Sequence, residues 1–139
     1  GLGTITPASG FVGPLGAVVI GTAAGFLCFF ATQYLKRRLE IDDSLDVSPV
    51  HGVGGVIGTL LTGVFAAVAL GGSGFTVQKT MLAQVGVQLL GVVAAGLWCA
   101  LMTWVILKVV SAIVRLRVGE DQETEGLDLA LHGERSYNL

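Results

Sequence analysis

What this sequence lacks is charge where a soluble protein would carry it. Only 13% of its 139 residues are Asp, Glu, Lys or Arg, against roughly a quarter in soluble domains. None of the four falls within 1–35, 47–78 or 80–107. A helix needs about 20 apolar residues to cross a hydrocarbon core about 30 Å thick, and each of these stretches is long enough. The expected fold class is therefore all-α, a polytopic membrane helix bundle. The net charge of -2 says little about partners, because the charges are confined to the connections and the tail.

Other absences narrow the function. The two cysteines, Cys28 and Cys99, both lie in apolar runs, which excludes a disulfide framework and predicts buried free thiols. The two histidines, His51 and His132, are far apart, so no zinc site is expected. No nucleophile-and-base arrangement, phosphate-cradling glycine loop or basic nucleic-acid stripe is present. An enzyme, a cofactor and a nucleic-acid partner are not expected. An initial Met and the basic segment of a signal peptide are also missing, so the chain reads as the C-terminal part of something longer.

What is present is an alternation of apolar spans and polar connections. Spans are predicted over about 10–35, 49–70 and 81–117, with a polar tail over 118–139. Lys36, Arg37 and Arg38 flank the first connection, and Lys108, Arg115 and Arg117 close the third span, whereas the second connection holds only Lys79. Cytoplasmic segments carry the excess of Lys and Arg, so the first connection and the tail are expected inside. Lys108 is expected to snorkel near the inner interface, with Trp104 as a belt residue. The third span exceeds what a bilayer requires, predicting tilt or projection. Gly13, Gly21 and Gly25 recur in the first span, and Gly54 and Gly58 in the second, beside Gly52 and Gly55. Small residues at that spacing let helix backbones approach closely in lipid. Gly71-Gly72-Ser73-Gly74 reads as a flexible loop, and EDQETEG over 120–126 as disordered or solvated.

One ionisable residue interrupts an apolar span. In DVSPVHGVGG, 46–55, Ser48 followed by Pro49 reads as a helix start, with Ser48 as cap and Asp46 as the alternative. His51 then falls in the first turn. The helix dipole and removal from water both favour an uncharged imidazole, with one donor and one acceptor nitrogen. Such a ring can hold a small polar molecule or relay a proton without trapping a cation. The competing reading is a histidine bonded to a neighbouring carbonyl as packing glue.

Four stretches occur in a recognisable order: ITPASGFVGP (5–14), IDDSLDVSPVHGVGGVIGTLLTGVFA (41–66), LGGSGF (70–75) and EGLDLALHGERSYNL (125–139). With them the whole chain resembles the C-terminal third of an ammonium transporter of the Amt/Mep family. The resemblance implies eleven membrane helices in two inverted repeats of five, with a long slanting last helix. This chain would supply helices nine to eleven and a cytoplasmic tail, in the cell membrane. It implies conduction of ammonium or ammonia past twin pore histidines, of which His51 is the second and the first lies on one of the remaining N-terminal helices. Val47 matches an inner pore-lining position, and Asp42, Asp43 and Asp46 match the cytoplasmic mouth where a partner docks. Gly126, Asp128, His132, Gly133 and Tyr137 match a regulatory tail that touches a homotrimer neighbour and helps dock a PII-type signalling protein. Ser48 and Pro49 depart from the family's Phe and small residue there, which puts the shape of the inner mouth in question. An ammonium sensor, or a non-conducting assembly subunit of the same fold, is the alternative.

Overall fold

A computed structural model describes residues 6–41, 43–75 and 80–134. Among these residues all regular structure is helical. Helix α1 spans Pro14–Arg38. Helix α2 covers Ser48–Phe65, opening as a π-helical turn, Ser48–Val53, and continuing as α-helix from Gly54. Helix α3 spans Met81–Ile113, and a short helix, α4, spans Glu120–Glu125. These three long helices have 25, 18 and 33 residues, and the most apolar windows have mean hydropathies of 2.0, 1.3 and 2.2. At 1.5 Å per residue they extend about 38, 27 and 50 Å, and each is long and apolar enough to cross a membrane.

Local chemistry explains the ends. Gly13 is extended ahead of Pro14, whose ring presets helical φ and whose missing N–H has no role in the first turn. The helix therefore starts four residues later than the apolar run. It ends on Lys36, Arg37 and Arg38, whose positive charge suits a helix C-terminus. Helix α2 stops at Phe65, because Ala67 turns extended and a 3-10 turn, Val68–Leu70, follows, closed by Gly71 at φ 81°.

The chain divides into two compact units, Gly1–Gly96 and Leu97–Leu139. In the first, glycines set how closely backbones meet. A Cβ on Gly16 would lie 3.0 Å from Cβ of Phe65, one on Gly54 3.1 Å from Sγ of Cys28, and one on Gly63 3.2 Å from Cα of Val85. Ile20 and Ala24 are buried on the same side of α1 as Gly16. Lipid offers no hydrophobic drive between helices, so dispersion across close backbones replaces it. Gly25 makes no such contact within this chain. Nothing described lies within 4 Å of a Cβ there, and Gly13 and Gly16 make the close approaches instead.

The loop expected to be flexible is a packed clasp. The Ser73 N–H donates to the Phe11 carbonyl at 3.0 Å, and the Gly72 and Gly74 N–H groups donate to Ala67 and Ala66. Side chains at Gly13 and Gly72 would overlap backbone atoms of Gly71 and of Phe65 and Ala66. The motifs around 10–14 and 70–75 are thus two halves of one structure, stitching the start of α1 to the end of α2.

In the second unit, Arg117 grips Glu123 with two parallel bonds, Nε to Oε1 at 2.6 Å and an amino nitrogen to Oε2 at 2.8 Å. The Arg117 hydrogen bond and charge hold the Glu123 carboxyl below its ordinary value. The 120–125 segment, expected to be disordered or solvated, is helical, with Gly119 leading in and Gln122 Oε1 reaching back to the Gly119 N–H.

Gly72→Ala should lower the thermal midpoint of the detergent-solubilised protein by several degrees, because the obstructing atoms are backbone and cannot rotate away. An unchanged midpoint in a melting scan would contradict the clasp.

Candidate functional site

Helix α2 begins with an accounting problem. The first four N–H groups of any helix lack partners within it. Here one residue supplies most of the answer. Asp43 Oδ1 accepts the Val47 N–H at 2.9 Å and Oδ2 accepts the Ser48 N–H at 2.7 Å. The Asp43 carbonyl accepts the Asp46 N–H at 3.3 Å. Pro49 has no N–H to satisfy. The regular pattern starts with the Val50 N–H donating to the Asp46 carbonyl at 3.0 Å.

The expectation that Ser48 caps the helix is therefore corrected. Asp46 lies at φ 54°, which folds the connection back so that Asp43 reaches the head first. Ser48 becomes a donor in the first turn. Its backbone bond to Asp43 is the largest cause holding the Asp43 carboxyl below the ordinary value of 3.8, followed by the bond from Val47, with smaller help from the Ser48 hydroxyl and the Lys36 charge. Asp46 turns its carboxylate to Lys36 at the end of α1, with Nζ 2.8 Å from Oδ1. That contact is a charge pair, since Oδ1 is sealed from solvent without an aligned hydrogen bond. Both side chains are partly exposed, and such pairs contribute at most about 1 kcal/mol.

The π turn follows. The Gly54 N–H is shared between the carbonyls of His51 and Pro49, and the Pro49 side chain is fully buried. Such turns are rare and recur at functional sites. The glycines around His51 do two different jobs. Gly54 and Gly58 are buried, and the Gly58 carbonyl accepts the Thr62 hydroxyl at 2.7 Å. Gly52 and Gly55 face open space. His51 is exposed within this chain and borders a recess of about 260 Å³ shared with Thr6, Val50 and Gly55. Among the described residues its ring has no hydrogen-bond partner. Val47, one turn earlier, is 50% exposed.

The second unit positions the tail residues. Gly126 ends α4 at φ 96°, and a π-helical turn, Asp128–His132, follows with Gly133 at φ 66° as its stop. Only glycine takes these conformations without strain. Asp128 sits at the positive end of its turn and His132 at the negative end, the favourable order for each. Asp42 and Tyr137 lie outside the described residues.

The structure brings Asp43, Asp46, Val47 and His51 together on one short segment. What sequence reasoning missed was the capping role of Asp43, the Lys36–Asp46 pair and the π turn. The signal for the first was available in the spacing: an acid four and five residues ahead of the two N–H groups that needed it.

Three apolar helices able to span a bilayer, two of them meeting through glycines, define a multi-pass helical membrane protein. The profile of the Ammonium Transporter Family matches residues 1–137, and the chain belongs to that family. It is 45% identical over 139 residues to an ammonium transporter of Aquifex aeolicus, covering all of this chain and 32% of that protein. It is 40% identical over 141 residues to ammonium transporter 1 of Dictyostelium discoideum, covering 99% of this chain and 30% of the other. An ammonium transporter of Bacillus subtilis is 37% identical over 141 residues, 99% of this chain and 34% of its own length. The chain thus spans about a third of the length of the curated relatives it matches.

The lowered Asp43 carboxyl sets a pH window. A depressed carboxyl contributes stability above its unfolded value and loses it as pH falls through the folded one. The cap should be intact at neutral pH and fail only below about 3.8. The carboxyl-carbon NMR shift of Asp43 should titrate with a midpoint under that value, and a midpoint above it would contradict the doubly bonded cap.

Proposed function

We propose that this chain forms part of an ammonium transporter, and that His51 lines its conduction path. The observation that carries the reading is the placement of His51. In a chain of this family, an imidazole stands exposed over an open recess, one turn inside a membrane helix, with glycines 52 and 55 leaving the space beside it clear. Ionisable groups within membrane spans are costly and generally serve a substrate or proton path.

On this reading the chain is the C-terminal third of an eleven-helix inverted-repeat channel. Residues 1–117 supply helices nine to eleven in the cell membrane, and 118–139 form a cytoplasmic regulatory tail. The pore would close only with the remaining N-terminal helices, one of which carries the partner histidine. Three helices cannot satisfy the polar groups lining a passage alone. Ammonium would be recruited outside and give up its proton, and an uncharged nitrogen species would then pass two imidazoles, each able to donate and accept one hydrogen bond. Val47 would line the inner side of the path, with Asp42, Asp43 and Asp46 around its cytoplasmic mouth. Gly126, Asp128, His132, Gly133 and Tyr137 would couple the tail to a homotrimer neighbour and to a PII-type signalling protein.

Replacing His51 by Ala in the whole transporter and measuring methylammonium uptake in a transport-deficient cell tests the reading. Uptake should fall by at least tenfold at equal protein in the membrane. Unchanged uptake would reject the pore role.

A further inference from the structure

The connection from α1 to α2 is built more tightly than a link between two membrane helices requires. Glu40 and Asp46 both take positive φ, 50° and 54°, a conformation that side chains adopt only when their surroundings demand it. The Lys36–Asp46 pair ties the end of α1 to the head of α2. Both oxygens of Asp43 are taken by successive N–H groups of that head. Pro49 is sealed against its neighbours. All of this falls within the residues leading directly to His51.

The constraint has an object. A π turn holds one more residue per hydrogen-bonded ring than an α turn and is the less favoured form. The body of α2 is fixed from below by the contacts of Gly54 and Gly63. If the turn relaxed to α geometry, its head would rotate instead, by as much as one residue's step of about 100°. That rotation would take the imidazole off its recess. The bonds to Val47 and Ser48 oppose it directly, because they fix two consecutive peptide planes at the end that would turn.

We propose that Asp43 is a positioning residue for His51: by accepting the Val47 and Ser48 N–H groups, it holds the π turn in register and keeps the imidazole over its recess. Its consequence for transport rests on the pore reading of His51, whereas its geometry does not. Asp43 would then act on conduction without touching the conducted species.

The test uses Asp43→Asn in the full-length transporter. The amide keeps one acceptor oxygen and turns a donor toward the second N–H. With histidine nitrogens labelled and the protein in lipid bilayers, the His51 ring signal is assigned by its disappearance in His51→Gln. In Asp43→Asn the His51 signal should split or shift, and methylammonium uptake should fall about five- to tenfold at normal membrane yield, the size of effect expected from losing a helix cap. Asp43→Glu, which keeps both oxygens, should restore part of each. An unaltered His51 signal in Asp43→Asn would overturn the proposal. Should that variant fail to accumulate, Asp43→Ser, which retains one acceptor, is read against the same two outcomes. If His51→Ala leaves uptake intact, the pore reading fails, and the ring signal still decides the positioning role.

Discussion

The first turn of a helix brings backbone N–H groups with no partner inside the helix. That constraint governs the head of α2. Asp43 meets it with a carboxylate that accepts two of the groups and a carbonyl that accepts a third, while Pro49 removes the fourth from the count. Once these bonds are made, the first turn has little freedom left. The residue one turn on, His51, inherits its direction from a cap eight residues upstream.

The same economy of backbone governs packing. Where α1 and α2 approach, and at the 71–74 clasp, several contacts set a glycine against a carbonyl, a thiol or the Phe65 side chain. Close approach replaces the hydrophobic effect that a water-soluble core would use. No residue of α3 is buried within this chain, and a helix apolar on every side needs lipid or further helices around it. Within the first unit the buried residues run along both α1 and α2, from Gly16 to Ala24 and from Gly54 to Gly63.

The three spans were legible because they depend on one feature, the absence of charge, which needs no knowledge of contacts. The apolar run suggests a first span over about 10–35, whereas the helix runs from Pro14 to Arg38, so its ends were legible only to within a turn. His51 stood out for the same reason, as an ionisable group in an apolar stretch. What escaped was whatever depends on direction. Asp42, Asp43, Ser44, Asp46 and Ser48 all offer a capping oxygen within one short stretch, and the choice of Asp43 follows from the positive φ at Asp46, which composition does not reveal. The clasp depends on a bond between Ser73 and Phe11, 62 positions apart. A π turn of six residues leaves no periodicity to read. In the tail, residues 121–125 are exposed as their polarity suggested, and the helical turn that Arg117 supports by reaching Glu123 is what the composition did not show. The tail glycines matched by resemblance proved to have local work of their own, as positive-φ stops.

On the pore reading, the imidazole at position 51 stands beside a passage rather than within solid packing. An experimental map of the assembled transporter in lipid, sharp enough to place the ring, tests this most directly. His51 should project from a π-helical turn into a narrow lumen continuous with the recess beside Val50 and Gly55. A ring turned to lipid, or bonded to a neighbouring carbonyl with no lumen alongside, would contradict it.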